Sequence, residues 1–473
     1  MARNFVGITV MPEFVQNEGV QPVLDNLVHL ARANAVATSP YVMEPADEKT
    51  GSREPPIDAG AGSVRLLDRP LWGRRELFVR TAPAFVPNLS FYRGLRYQPA
   101  ATNELTARHG AIIKQFIRAA QARNLKVYLQ VQAAIPPGYR VQFGGPRDDD
   151  KPQLPDGRVP ERRLANNGSL ASPHIIAYHC ALLRDLVAAY PEINGIRVDW
   201  PEYPPYFLDD VFLDFGPHAE AAATRLGFDF DAMRGAALDL YRKLHGGLKN
   251  TDLLPWAEKE GGRYRLLRLL ANQPELLHWL RFKATLVEEL LRAFRQTLTD
   301  AGAARIELVP NAFPPPFALA SGMDFRRVAP VSSAISVKLY TMHWPVMLRF
   351  YGDALLRANP DLDDRLLTQA LVSWLDIADD AGLPSLKNYG YPEPNEPHPV
   401  GRRAMTRHIV DAQLEAGSTP IYSLAHGYGP LQDFAQRLAI AWQASQHGVW
   451  INRYGYLSDE KLTVVGQVCQ RSR

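Results

Sequence analysis

Short runs of β-branched and aromatic residues recur along this chain, and a long helical period follows most of them. That alternation restricts the fold more than any other property of the sequence. A strand joined to the next by a helix pairs with it in parallel, so the pattern predicts one parallel sheet with helices around it. Eight runs qualify: Phe5–Met11, Ala35–Tyr41, Lys126–Ala133, Gly195–Asp199, Arg305–Pro310, Ala334–Tyr340, Thr419–Ala425 and Gly448–Gly455. Eight parallel strands close into a barrel, so the expected fold is α/β, a (β/α)₈ TIM barrel. An open, doubly wound sheet is the alternative, weakened by the lack of a Gly-rich phosphate loop after the first run.

The connections are uneven. Amphipathic periods are expected at Gly19–Ala33, Leu105–Arg123, His174–Tyr190 and from Leu276 to Leu298, where the apolar set recurs at a 3.6-residue period. Two Pro/Gly/Arg-rich excursions, roughly Glu44 to Thr102 and Ile135 to Ser169, exceed ordinary loop length and read as functional. A helix-rich insertion follows the fourth run, at about 212–272. The 473 residues would by length suggest two or three domains. With no repeat and no low-complexity linker, 1–473 reads as a single elaborated barrel.

Charge and cysteine usage exclude several classes. Lys plus Arg is 53 against 50 acidic residues, and the net charge of +3 lacks the basic stripe of a nucleic-acid or membrane-surface binder. Two cysteines, Cys180 and Cys469, make no disulfide framework or zinc site, which favours a reducing compartment. The segment MARNFVGITVMPEF has no long apolar run, so no signal peptide and a cytoplasmic, soluble protein are expected. A homo-oligomer is left open.

Because strand side chains alternate, each run divides into a face toward the helices and a face toward the barrel axis. The axial set is Tyr128, Gln130 and Gln132, then Arg197 and Asp199, then Glu307, Val309 and Asn311, then Ser336, Lys338 and Tyr340. A barrel interior filled for stability alone would carry Val, Ile and Leu there. Polar groups are costly to bury unless they pair or bind something. Arg197 and Glu307 are expected to pair with each other low in the barrel. Asp199, Asn311 and Lys338, at strand ends, are expected to serve function.

The segment GIRVDWPEYPPYF, residues 195–207, concentrates the chemistry. Asp199 ends a strand, and Glu202 follows in a Pro- and Tyr-rich loop. Two carboxyl groups at a barrel mouth, one ionised and one protonated, are what glycoside hydrolysis requires. Tyr203 and Tyr206 are flat amphipathic surfaces of the kind that stack on sugar rings. Trp200, in phase with Ile196 and Val198, is expected to pack outward under a helix. Aromatic and polar clusters mark the later strand ends: Tyr340, His343 and Trp344; Tyr422, His426 and Tyr428; and Asn452, Arg453, Tyr454 and Tyr456. Asp324 reads as a helix cap. His343 and His426 could share a metal with a carboxylate, but no HExxH-type spacing supports it, and neither metal nor cofactor is expected.

The run SPHIIAYHCALLRDLVAAYPEINGIRVDWPEY, residues 172–203, resembles the helix-then-strand segment of barrel glycoside hydrolases. The likeness is to the glycosyl-hydrolase-like TIM-barrel families near β-galactosidases and α-fucosidases. Loosely it extends over most of the chain, through LRFKATLVEELLRAF and GVWINRYGYLSDEK. The resemblance implies that Asp199 stands where α-fucosidase-like members carry a nucleophile or stabilising carboxylate. Glu202 matches the glutamate that retaining β-glycosidases place after strand four. Their second glutamate, after strand seven, has no counterpart in TPIYSLAHGYG. The pair is then Asp199 with Glu202, or a partner from a loop such as Glu44, or the chain has lost hydrolysis. The expected substrate is a small glycoside or oligosaccharide, bound by Glu44, Gln132, Tyr203, Asn311, Lys338, Tyr340, His343, His426, Arg453 and Tyr454. Two further readings are a Schiff-base lyase or aldolase using Lys338 and a carbohydrate-binding barrel without catalysis.

Overall fold

The computed structural model describes residues 5–257, 261–380 and 382–470. The first four residues of the N-terminal segment and 258–260 of the helical insertion lie outside them. Eight strands form a closed barrel: β1 Phe5–Thr9, β2 Ala35–Thr38, β3 Lys126–Gln132, β4 Gly195–Asp199, β5 Glu307–Ala312, β6 Ile335–Leu339, β7 Ile421–His426 and β8 Gly448–Asn452. Neighbours pair in chain order, all parallel, and β8 closes on β1. Each of the eight expected runs supplies one strand.

The inner face is filled unevenly, and glycine makes that workable. Trp450 and Tyr128 are fully buried inside the barrel, edge to face at 5.2 Å. Room for them comes from Gly7 and Gly195. A Cβ on Gly7 would lie 2.3 Å from the Trp450 ring, and one on Gly195 would lie 2.5 Å from the Tyr128 ring. Phe5 stacks on Tyr422 at 4.4 Å and packs on Trp450 at 5.1 Å, so rings fill the N-terminal end of the barrel. Tyr422 therefore belongs to that end and not to the mouth where the sequence suggested it.

The helices follow the amphipathic periods with local corrections. The expected helix Gly19–Ala33 starts at Val20, as Val20–Asp25, and continues as a π-helical turn at Asn26–Leu30; Gly19, with a φ of 92°, separates it from an additional helix, Pro12–Glu18. The helix Pro274–Asp300 buries Leu276, Val287, Leu290, Phe294 and Leu298 as its period predicts. It also buries Lys283, whose Nζ donates to the carbonyls of Val211 and Ala320. Burial pulls that ammonium down to about 7. The first excursion is not all loop: Tyr41–Ala46, Ser52–Glu54 and Leu77–Pro83 form an antiparallel sheet with the last strand in the middle. The insertion after β4 holds helices Pro217–Leu226, Phe230–Leu244, Asn250–Ala257 and Gly261–Asn272. Among the described residues no helix is long and apolar enough to cross a membrane.

The close approach at Gly7 has a measurable cost. Gly7→Ala should lower unfolding free energy by about 1–3 kcal/mol through overpacking against Trp450. Urea unfolding of Gly7→Ala alone and combined with Trp450→Leu checks the cause, since the double variant should recover part of the loss.

Candidate active site

Strand register sets the floor of the mouth. Gln132, Asp199 and Asn311 are paired residues at the ends of β3, β4 and β5. Lys338 of β6 places its Nζ 2.9 Å from Asp199 Oδ1. The contact is ionic, not an aligned hydrogen bond, and both atoms are left without hydrogen-bond partners. The same ammonium lies 4.9 Å from the Phe313 ring centre and 5.4 Å from that of Trp200. Beneath them Arg197 donates to Thr9 Oγ1 at 2.8 Å and to Asn311 Oδ1 at 2.9 Å, and lies 4.0 Å over Trp450. Burial lowers its guanidinium to about 10.

Two expectations are corrected here. Arg197 does not pair with Glu307, because register sets it opposite Val309, one layer above. Glu307 instead binds Lys126 Nζ at 2.7 Å and Tyr128 Oη at 2.5 Å. Trp200 does not pack outward, because its φ of 53° turns the chain out of the strand immediately after Asp199. That left-handed region costs a residue with a Cβ about 1–2 kcal/mol, and such strain gathers at functional sites. The turn carries the indole to Lys338 and to Tyr206, whose ring centre is 6.1 Å away.

Glu202 is fully buried. Phe313 N–H donates to its Oε1 at 2.8 Å, and Ser321 Oγ lies 2.5 Å from Oε2. Burial raises the carboxyl to about 7, against the charge of Lys338 and these hydrogen bonds. The surroundings suit either state. When protonated, Glu202 donates to Ser321, whose hydroxyl then turns to the Ala318 carbonyl 3.0 Å away.

The rim is built by the first excursion, whose role the sequence marked only by length. Asp58 pairs with Arg65 at 2.8 Å and with His343 Nε2 at 3.1 Å. Burial pushes this carboxyl up, but Arg65 and His343 prevail and hold it at about 2. Asp58 therefore accepts from Nε2–H, and Nδ1 of the same ring lies 3.2 Å from the Tyr206 hydroxyl. Tyr340 Oη accepts from Asn452 Nδ2 at 2.7 Å. His426 is wedged between the rings of Tyr340 and Tyr456, with centres 5.1 and 5.0 Å away. Burial, with Arg65, His343, Arg453 and Arg437, depresses its pKa. Its Nδ1 accepts from Tyr428 N–H, so the neutral ring carries its proton on Nε2. Arg453 is half-buried and bound to Glu54 at 3.0 Å.

Other expected residues lie elsewhere. Glu44 sits opposite Arg80 in the excursion sheet and binds Arg80 and Arg108. Tyr203 is fully buried, its hydroxyl held by Leu170 N–H and Asp214 behind the mouth. Tyr454 turns its hydroxyl to Asn26 and Glu18. Trp344 packs under its helix against His408. Asp324 caps a helix through Arg327 N–H, as expected. What converges is Gln132, Asp199, Asn311, Lys338, Tyr340, His343, His426 and Arg453. To these the structure adds Asp58, Arg65, Trp200 and Tyr206.

The mouth is short of hydrogen-bond partners. Thr38 Oγ1, Ser39 Oγ, Gln132 Oε1, Asp199 Oδ1, Lys338 Nζ and Asn452 Oδ1 have none, and they lie at or near the ends of five strands. Buried polar atoms are seldom left so. Other such atoms are scattered through the protein, but here donors, acceptors and aromatic faces meet at one opening. Side-chain exposure of 14% at Asp199 marks that opening as narrow. Among the described residues no cluster of three or more His, Cys, Asp or Glu is arranged to hold a metal.

No family model matches the sequence, and no curated protein sequence matches it. Solved structures do share its architecture. The β-galactosidase of the psychrophilic Marinomonas ef1 is 11% identical, with a TM-score of 0.50 over 98% of this chain and 59% of that one. The glycoside hydrolase domain of PgaB (BpsB) from Bordetella bronchiseptica is 12% identical, with a TM-score of 0.48 over 96% and 94%. The β-amylase catalytic domain of Paenibacillus polymyxa is 10% identical, with a TM-score of 0.46 over 98% and 95%. At these identities the likeness is one of fold.

Glu202 leaves a signature in stability. Its folded pKa of about 7 stands above the ordinary 4.5, so its neutral form favours folding below the ordinary value. That stability is lost as pH rises through about 7, by on the order of 3 kcal/mol. Glu202→Gln should not show this loss, so the difference between variant and wild type should move in favour of the variant between pH 5 and 8 in chemical denaturation.

Proposed function

We propose that this protein is a glycoside hydrolase that cleaves an O-glycosidic bond of a small glycoside or oligosaccharide at the mouth of the barrel. The observation that carries the reading is the pair of unlike carboxyl groups after β4. Asp199 faces the opening beside an ammonium, and Glu202 holds its proton up to about pH 7. The raised carboxyl of Glu202, three residues from the ion-paired Asp199, suits acid–base work on a glycosidic bond.

Asp199 presents negative charge to the anomeric carbon as positive charge develops there, and Lys338 keeps that carboxylate oriented. Glu202 supplies the proton. The C–O bond breaks with its electron pair going to the leaving oxygen, which departs as the alcohol; water then adds to the anomeric carbon and gives its proton back to Glu202, which restores the acid. To reach that oxygen Glu202 must release Ser321, so the segment between Phe313 and Ser321 has to shift. Trp200 and Tyr340 offer ring faces, while Gln132, Asn452 and Thr38 offer unpaired polar atoms for hydroxyls. The position of Asp199 at the end of the fourth strand suits the resemblance to β-galactosidases and α-fucosidases that the sequence suggests. The contact with Asp199 occupies Lys338 and speaks for an electrostatic role over that of a Schiff-base nucleophile.

The test is a panel of aryl glycosides of both anomers. Asp199→Asn should reduce kcat/KM by at least about a thousandfold on the substrate that wild type cleaves. Glu202→Gln should lose about a hundredfold or more on poor leaving groups and far less on dinitrophenyl leaving groups, which depart without a proton. Equal losses on both would make Glu202 a positioning residue. Activity surviving Asp199→Asn would overturn the site.

A further inference from the structure

A cleft of about 470 Å³ opens on the same face of the barrel, within the roughly 300–1,000 Å³ of ligand sites. Its walls come from the excursion after β3, the insertion after β4 and the helix His343–Ala358 after β6. Phe207 follows Tyr206 directly, and Arg162 donates to the Ala59 carbonyl beside Asp58, so the cleft adjoins the rim of the mouth.

Its lining combines two kinds of surface. On one side Phe207 and Phe350 stack at 4.7 Å, with the Arg162 guanidinium 4.9 Å over Phe207. Arg162 and Phe350 form the ends of this column, and Phe350 is half-buried and lines the cleft. On the other side Asp209 Oδ1 accepts from His245 Nε2 at 3.0 Å and from Tyr241 Oη at 3.3 Å, while Arg158 donates to Tyr241 Oη at 3.2 Å. Three arginines and His245 stand among Glu161, Asp209 and Asp353, so positive and negative groups are balanced and no charged ligand is selected. A flat apolar surface facing a ladder of fixed donors and acceptors matches a chain of neutral sugars, which offers C–H faces on one side and hydroxyl edges on the other.

We propose that this cleft is an outer subsite, holding neutral sugar residues of an oligosaccharide beyond the bond that is cut. The inference rests on the hydrolase reading and narrows it: the natural substrate is an oligosaccharide, and the cleft selects it by length.

The experiment compares an aryl monoglycoside with a neutral oligosaccharide of four or more units containing the same cleaved residue. The ratio of kcat/KM for the oligosaccharide to that for the aryl substrate is the readout. It should fall about tenfold in Phe350→Ala, and by a smaller factor in Arg162→Ala, whose exposed side chain can be removed without risk to folding. The loss should appear in KM, with thermal unfolding of Arg162→Ala matching wild type. A wild type that cleaves the aryl substrate but shows an unchanged ratio in both variants overturns the subsite and leaves the hydrolase reading standing. A wild type that cleaves neither substrate overturns the hydrolase reading, and the subsite with it.

Discussion

Arg140 holds together the segments that roof the barrel. Its two guanidinium nitrogens reach Glu13 at 2.7 Å and Glu54 at 2.6 Å, and all three side chains are buried. Glu13 belongs to the helix after β1, Glu54 to the excursion after β2 and Arg140 to the excursion after β3. Arg453, just beyond β8, completes the set on Glu54. Burial raises Glu13. It pushes Glu54 the same way, but the charges of Arg140 and Arg453 prevail and hold that carboxyl below its ordinary range. Such a network is sensitive to deletion, since removing one partner of a buried pair strands the other at about 3–5 kcal/mol. The excursions are thus fastened to the strands before they reach Asp58 and Arg65, and the rim inherits their fixed position.

The same logic operates at the floor. Arg197 and Lys338 bring two positive charges to the neighbourhood of Asp199; Lys338 is paired with that carboxylate, whereas Arg197 is held by Thr9 and Asn311. A barrel optimised only for packing would have no use for cations there. Their cost is offset in part by aromatic faces, Trp450 under Arg197 and Trp200 and Phe313 beside Lys338. Strain at Trp200 belongs to this arrangement, because a regular strand would have sent the indole toward the helices.

Period-2 and period-3.6 patterns carried the eight strands and the axial positions of Asp199, Asn311 and Lys338, because those depend on local alternation. The pairing of Arg197 was not readable in the same way. It depends on the stagger between β4 and β5, which one strand cannot report about its neighbour. The reversal at Trp200 was hidden because a single left-handed residue leaves periodicity intact. Glu44 looked like a site residue by its nearness to β2, but the excursion folds into a sheet whose register hands it to Arg80. Asp58 went unnoticed, and only the improbable length of its excursion pointed toward it.

The rings that fill the barrel's lower half bear on traffic through the site. Phe5, Tyr128, Tyr422 and Trp450 interlock there, with Trp450 and Tyr128 fully buried where Gly7 and Gly195 make way. The barrel is a blind-ended vessel. Any molecule that comes to Asp199 enters through the rim of Asp58, His343 and Tyr456 and must leave by the same door. In the proposed hydrolysis, departure of one product and arrival of water would be events in a queue at that rim.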